Sequence, residues 1–337
     1  MESPASPSIR RRVLVLGLVA AVAGSVGAGI ALARPTAKPI GRGVVVIETN
    51  LGYQNGAAAG TGIVLGSSGV VLTNNHVIRG ATTIRILVAG TGRSYTAKVI
   101  GYDVTDDVAL LQAQGASNLR TSSAGNSSRL AVGQAVTALG NAGGTGRLVS
   151  ASGTITGLRQ SITVNDEQGG AVRLAGLIET NAGLEPGDSG GPLSNAAGQV
   201  IGMDTAASTG GGYYASASSD GFAIPIATAL SIATQISSGR SSATVHIGPT
   251  AMLGIEIDAS YGNALIGDVL PGGPADSAGL AAGDVITAIG GRSVSTPTSI
   301  TRLLLSKKPG QRVTVAFTDR FGESGKATVT LGSGPPQ

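Results

Sequence analysis

Cysteine and tryptophan are missing from this chain of 337 residues, aromatic residues supply 3% of it, charged residues 12%, and histidine occurs twice. Each shortage excludes a class of chemistry. Without cysteine there is no disulfide framework, no thiol nucleophile and no thiolate metal site, while the redox compartment stays undetermined. Two histidines make a multi-histidine metal centre improbable, and neither a metal nor a cofactor is expected. Charge is equally spare. Of the net +4, Glu2 with Arg10, Arg11 and Arg12 supplies +2, which leaves +2 for residues 34 to 337 and no basic stripe for nucleic acid.

Glycine is abundant, with 54 residues, alongside many aliphatic and often β-branched side chains. Such a chain suits short strands joined by turns. Its length exceeds what one hydrophobic core ordinarily organises, so two domains with accessory segments are expected.

Residues 1–12 are polar and end in three arginines, and Val13 to Ala33 then runs for 21 residues without a charge. That is the pattern of an export signal or a membrane anchor. Ala31-Leu32-Ala33 fits a cleavage site, yet the run is also long enough to span a bilayer, so residues 13–33 are expected to be a signal peptide or a transmembrane segment. Either way the bulk of the chain is expected outside, secreted or anchored in the cell membrane.

From Val44 to about Ile226, β-branched runs alternate with Gly/Ser/Asn turns: Val44 to Ile47, Thr82 to Val88, Tyr95 to Val99 and Val108 to Leu111. That rhythm argues a sandwich or barrel. Pro225 opens an amphipathic stretch with Ile226, Leu230, Ala233 and Ile236 on one face, which predicts a closing helix. Residues 240–247 follow a Ser/Gly/Arg stretch and read as a linker, and strand-like runs resume near Thr250.

Gly187-Asp188-Ser189-Gly190-Gly191-Pro192 surrounds one serine with glycines, which permit tight backbone geometry. Acyl transfer needs backbone N–H groups converging on a developing oxyanion and a base to take the serine proton. Ser189 is therefore the candidate nucleophile. His246 sits beside the linker, whereas His76 ends the apolar run Val71-Leu72-Thr73 and is the better base. A base needs a carboxylate to fix its tautomer. Asp107, directly before Val108 to Leu111, is the candidate, with Asp103 and Asp106 as local competitors. Strand alternation would place Asp107 on the same inward face as Ala109 and leave Asp106 to solvent.

In this order and with these flanks, His76, Asp107 and Ser189 resemble the catalytic triad of the trypsin-like superfamily, and Thr73 to Val77, Asp107 to Leu111 and Gly187 to Pro192 resemble the three motifs of its HtrA family. The resemblance covers nearly everything after residue 43. It implies a mostly β chain, with a trypsin-like double β-barrel protease domain at residues 42–239. It further implies an oxyanion hole from the N–H groups of Gly187 and Ser189, and an apolar specificity pocket lined by Phe222, Ala223 and Ile224. It also implies mobile loops at Leu158 to Ala175 and Asp204 to Asp220, unfolded or misfolded polypeptides as substrates, and a homotrimer. Asp188 departs from the family, many members having Asn there, and its partner cannot be read from the sequence.

Met252-Leu253-Gly254-Ile255 resembles the carboxylate-binding loop of PDZ domains, and Gly279 to Ile286 resembles a signature of bacterial PDZ domains. A small α+β PDZ domain at residues 248–333 is implied. There Leu253, Gly254 and Ile255 would receive the C-terminal carboxylate of a peptide, and Thr296 would cap a helix before Pro297. Two other readings stand beside these: a small β-domain without a ligand, and a catalytically idle chaperone-like or scaffolding protein that binds C-terminal tails.

Overall fold

The β-branched runs between residues 44 and 111 become the strands of one sheet. The computed structural model describes residues 41–165, 171–206 and 221–337. Strands β1 (Val44–Leu51), β2 (Gly56–Gly66), β3 (Val70–Thr73), β4 (Thr83–Val88), β5 (Arg93–Asp103) and β6 (Val108–Ala113) pair antiparallel in the order β5-β4-β1-β2-β3-β6, and β5 also pairs β6. Between β3 and β4 lies a single helical turn, α1 (Asn75–Ile78). Inward residues Val45, Ile47, Val71, Ile86, Ala109 and Leu111 form one apolar core with Val77 and Ile78 of α1.

Strands β7 (Ala135–Gly140), β8 (Val149–Asn165), β9 (Ala171–Thr180), β10 (Pro192–Asn195), β11 (Val200–Ala206) and β12 (Gly221–Pro225) close a barrel in the order β10-β11-β12-β9-β8-β7. The expected mobile loop from Leu158 to Ala175 is, where described, a hairpin. Pairing runs from Leu158↔Ile178 out to Asn165↔Ala171, so backbone ladder bonds hold its arms. Residues 166–170, and residues 207–220 of the other expected loop, lie outside the described residues.

After Pro225, α2 (Ile226–Ser237) follows as its apolar spacing predicts. It buries Ile226, Ala229, Ile232, Ala233 and Ile236 against Leu110 of the first sheet and Met203 and Phe222 of the barrel. Each fully buried isoleucine stabilises this contact by about 1.5–3 kcal/mol. Residues 240–247 are not wholly a linker: β13 (Val245–Ile247) pairs with β5, His246 opposite Tyr102. Three residues between Ser/Thr and Gly are too few to show a strand period in sequence.

The C-terminal unit has its own core of Leu253, Ile266, Leu280, Ile286, Ile300, Leu304 and Val315. It is built from β14 (Thr250–Met252) on β21 (Gly332–Gly334), β15 (Ile255–Ile257) on β16 (Ile266–Val269), and a sheet of β17 (Val285–Ile289), β18 (Arg292–Ser293), β19 (Arg312–Thr318) and β20 (Ser324–Thr330). Two helices complete it, α3 (Pro274–Ser277) and α4 (Pro297–Leu305). Thr296 caps α4 in a reciprocal capping box with Ser299.

Beyond β21 the chain returns to the first sheet. Gly80 N donates to Pro336 O at 2.8 Å, Asn75 Nδ2 donates to Gln337 O at 3.0 Å, and Gln337 N donates to the Tyr102 hydroxyl at 3.3 Å. That hydroxyl also meets Thr250 Oγ1 at 3.0 Å.

The transmembrane expectation is corrected. Among the described residues no helix is long and apolar enough to cross a membrane, the longest, α2, having 12 residues. Residues 1–33, on which the signal and anchor readings rested, lie outside the described residues.

Candidate active site

The end of β3 delivers His76. Thr73 Oγ1 donates to Thr61 O of β2 at 2.8 Å, fixing the strand end, and Asn74 then turns the chain into α1 while its Nδ2 donates to Asp107 O at 2.9 Å. Asp107 Oδ1 accepts from the His76 backbone N–H at 2.9 Å, and Oδ2 faces His76 Nδ1 at 2.8 Å. A carboxylate can only accept, so this contact sets the imidazole proton on Nδ1 and leaves Nε2 the acceptor. A third donor completes the carboxylate: Thr205 Oγ1 of β11 at 2.6 Å.

Asp107 is not a strand residue, contrary to the alternation argument. It ends the turn before β6 at φ 54°, in the left-handed region that Asp tolerates better than most side chains. The competitors fall away. Asp103 Oδ1 accepts from Thr105 N and Asp106 N, its Oδ2 accepts from Thr244 Oγ1, and Asp106 is exposed. His246 is buried elsewhere, its ring nitrogens 3.0 Å from Leu305 O and 3.1 Å from Pro249 O.

The Ser189 loop is held from both sides. Thr61 N donates to Ser189 O at 2.8 Å, and Thr61 Oγ1 donates to Gly187 O at 2.8 Å. On the other flank Gly190 N donates to Asp204 O and Asp204 N to Gly191 O, both at 2.8 Å. Gly187 (φ 101°) and Gly190 (φ 84°) adopt backbone conformations closed to ordinary side chains. A Cβ on Gly187 would overlap Asn141 O, and one on Gly190 would overlap Thr61 O. Among the described residues the N–H groups of Gly187 and Ser189 donate to no acceptor in the chain. The loop and α1 meet across Gly60 of β2, where a Cβ would lie 2.6 Å from Val77 Cγ1 and 3.2 Å from Ser189 O.

Behind Ser189 lie two buried acids. Asp188 Oδ2 accepts from Glu185 N at 2.9 Å, but Asp188 Oδ1 and both Asp204 carboxyl oxygens have no hydrogen-bond partner. Burial above all, then the charge of Glu185, raises Asp188 to about 6 against the opposing N–H of Glu185. Burial, then the charge of Asp188, holds Asp204 well above the ordinary range.

On β12 Phe222, Ala223 and Ile224 are all buried. Alternation sends Phe222 and Ile224 into the core under α2 and Ala223 into the barrel with Val136, Ile178 and Leu193. In the C-terminal unit Leu253 is buried, Gly254 has φ 74°, and Ile255 begins β15, whose only strand partner among the described residues is β16. Sequence reasoning missed Thr205, Asn74, Thr61 and Asp204. Only Asp204-Thr205 left a signal, two polar residues ending the apolar run Val200 to Met203.

Residues 60–203 match the trypsin-like peptidase domain and residues 251–331 the PDZ domain. The chain is 33% identical over 324 residues to protease Do-like 1 of Arabidopsis thaliana, covering 87% of this chain and 70% of that protein. The chain belongs to the HtrA family of serine proteases. Within that family it is 36% identical over 307 residues to serine protease PepD of Mycobacterium tuberculosis, covering 86% of this chain and 63% of PepD. Among solved HtrA-type structures, AlgW with a tripeptide is 28% identical at a TM-score of 0.51, covering 88% of this chain and 95% of AlgW. The chain spans 51% to 63% of the length of several curated relatives.

Proposed function

We propose that this protein is an extracytoplasmic serine endopeptidase that cleaves unfolded or misfolded polypeptides through an acyl-enzyme. The observation that carries the reading is the Asp107 carboxylate gripping both His76 Nδ1 and the His76 backbone N–H. In this reading His76 takes the Ser189 proton as Ser189 Oγ attacks the scissile carbonyl. Asp107 supports the imidazolium, and the N–H groups of Gly187 and Ser189 stabilise the oxyanion. His76 then protonates the leaving amine, and water hydrolyses the acyl-enzyme.

Residues 42–239 are read as the protease domain and 248–333 as the PDZ domain. A double β-barrel is supported by β5, which pairs both β4 and β6. Phe222, Ala223 and Ile224 are read as the apolar wall of the specificity pocket, and Leu253, Gly254 and Ile255 as the loop that receives a peptide carboxylate. Relatives named as periplasmic endoproteases support the location, and likeness to PepD supports a finer placement among exported mycobacterial members of the PepA type. A homotrimer follows from the family alone.

A fluorophosphonate probe tests the reading. Wild type is labelled and degrades casein, whereas Ser189→Ala does neither while keeping its fold. Degradation by the purified mutant would eliminate the assignment, and an unlabelled wild type would favour an idle scaffold.

A further inference from the structure

The two acids behind Ser189 have a role that the triad does not assign. Asp188 precedes the nucleophile, and Asp204 grips the two residues after it through its own backbone N–H and C=O. Any shift of either acid is therefore a shift of the loop that carries Ser189. Neither carboxyl meets a cation among the described residues, and three of their four oxygens have no donor. A carboxylate in that position would be both desolvated and beside a like charge. A neutral carboxyl brings its own O–H.

We infer that Asp188 and Asp204 are positioning residues, and that protonation of this buried pair holds the nucleophile loop in the arrangement that leaves the Gly187 and Ser189 N–H groups unpaired. The inference rests on reading Ser189 as the nucleophile. Loss of the Asp188 proton favours an opened loop with that side chain in water.

Among the described residues nothing neutralises the pair. Glu185 of the same loop adds a like charge. From the end of β7 comes Gly140, where a Cβ would overlap Asp188 Oδ1, and just past it Asn141 lies against Gly187, both uncharged. Across from Asp204 on β12 is Ala223, and on the β2 side is Thr61. One residue along β11, Thr205 leads to Asp107, whose Oδ2 is already taken up by Thr205 Oγ1 and His76 Nδ1.

The direction follows from the raised Asp188. A group that holds its proton more tightly in the closed loop than in the opened one favours closure fully below the ordinary value of 3.8. That preference is lost as pH rises to about 6, and the cost then persists.

The test compares full-length wild type with Asp188→Asn and Asp204→Asn, isosteric stand-ins for the neutral acids. The fluorophosphonate labelling rate is read from pH 5 to 8.5, and hydrogen exchange of residues 184–191 is corrected for intrinsic rate. Taking the ratio of variant to wild-type labelling cancels whatever pH dependence all three proteins share. The ratio for Asp188→Asn is expected near one at pH 5, rising to about tenfold at pH 8, within the roughly hundredfold that two pH units of displacement allow. Exchange in the loop is expected to accelerate with pH in wild type and not in Asp188→Asn. Ratios flat with pH, together with matching exchange in all three proteins, would overturn the inference. Where one variant fails to fold, the other carries the comparison. Were no protein labelled at any pH, the nucleophile reading would fail, and loop exchange alone would decide whether the acid pair holds the loop.

Discussion

Thr205 donates its hydroxyl to Asp107 Oδ2 at 2.6 Å, the same oxygen that faces His76 Nδ1. Asp107 leads into the first sheet and Thr205 lies one residue before the end of β11 in the barrel, so this hydrogen bond joins the two sheets at the site. Thr205→Val should leave that oxygen one donor short and let the carboxylate turn. A drop of about tenfold in kcat with KM nearly unchanged is expected, matching the loss of one charge-assisted bond. Steady-state kinetics on a fluorogenic peptide decides it.

Asp107→Asn should lower kcat by about 10⁴, because an amide in place of the acceptor favours the wrong imidazole tautomer. Asp106→Asn, on an exposed side chain, should be nearly silent. The reverse ranking would mean that the carboxylate has been misassigned.

Cleavage should follow Val, Ala, Leu or Ile, with Arg and Lys rejected, because β12 carries no charge to receive a basic side chain, with Ala223 on one face and Phe222 and Ile224 packed behind it in the core. Mapping the products of denatured protein by mass spectrometry tests this. Basic residues before the cut would refute the apolar wall.

Peptides with a free carboxylate and an apolar last residue should bind full-length Ser189→Ala protein, and their C-terminal amides should bind at least about tenfold more weakly. Gly254→Val should do similar damage, since φ 74° excludes a β-branched side chain and a Cβ there would press on Pro274 Cδ at 3.1 Å. Calorimetry reporting equal affinities would leave the C-terminal unit a structural module.

Much of this site was legible because its parts are local words. Thr73 to Val77, Asp107 to Leu111 and Gly187 to Pro192 each carry their chemistry within six residues, and the glycines at 187 and 190 announce a strained turn. The rest depends on distant partners. Thr205 lies 98 residues from the carboxylate it holds, and no periodicity links them. Asp107 is buried and Asp106 exposed as expected, but alternation is not the reason, because it applies only within strands and a turn residue answers to its own φ and ψ. Asp188 was visible as an anomaly, and Asp204 as a polar end to the run Val200 to Met203, but only the barrel's closure brings the two together.

The return of the chain to α1 changes what a truncation measures. Pro336 and Gln337 accept hydrogen bonds from Gly80, just past the end of α1, and from Asn75, the residue before His76. A protein cut after the protease domain loses more than the peptide capture proposed for its C-terminal unit. It also loses the fastening at both ends of the single turn that carries His76, the proposed base. Weak activity in such a fragment would thus report a loosened histidine as much as an absent docking site, and only full-length variants with a disabled carboxylate loop separate the two.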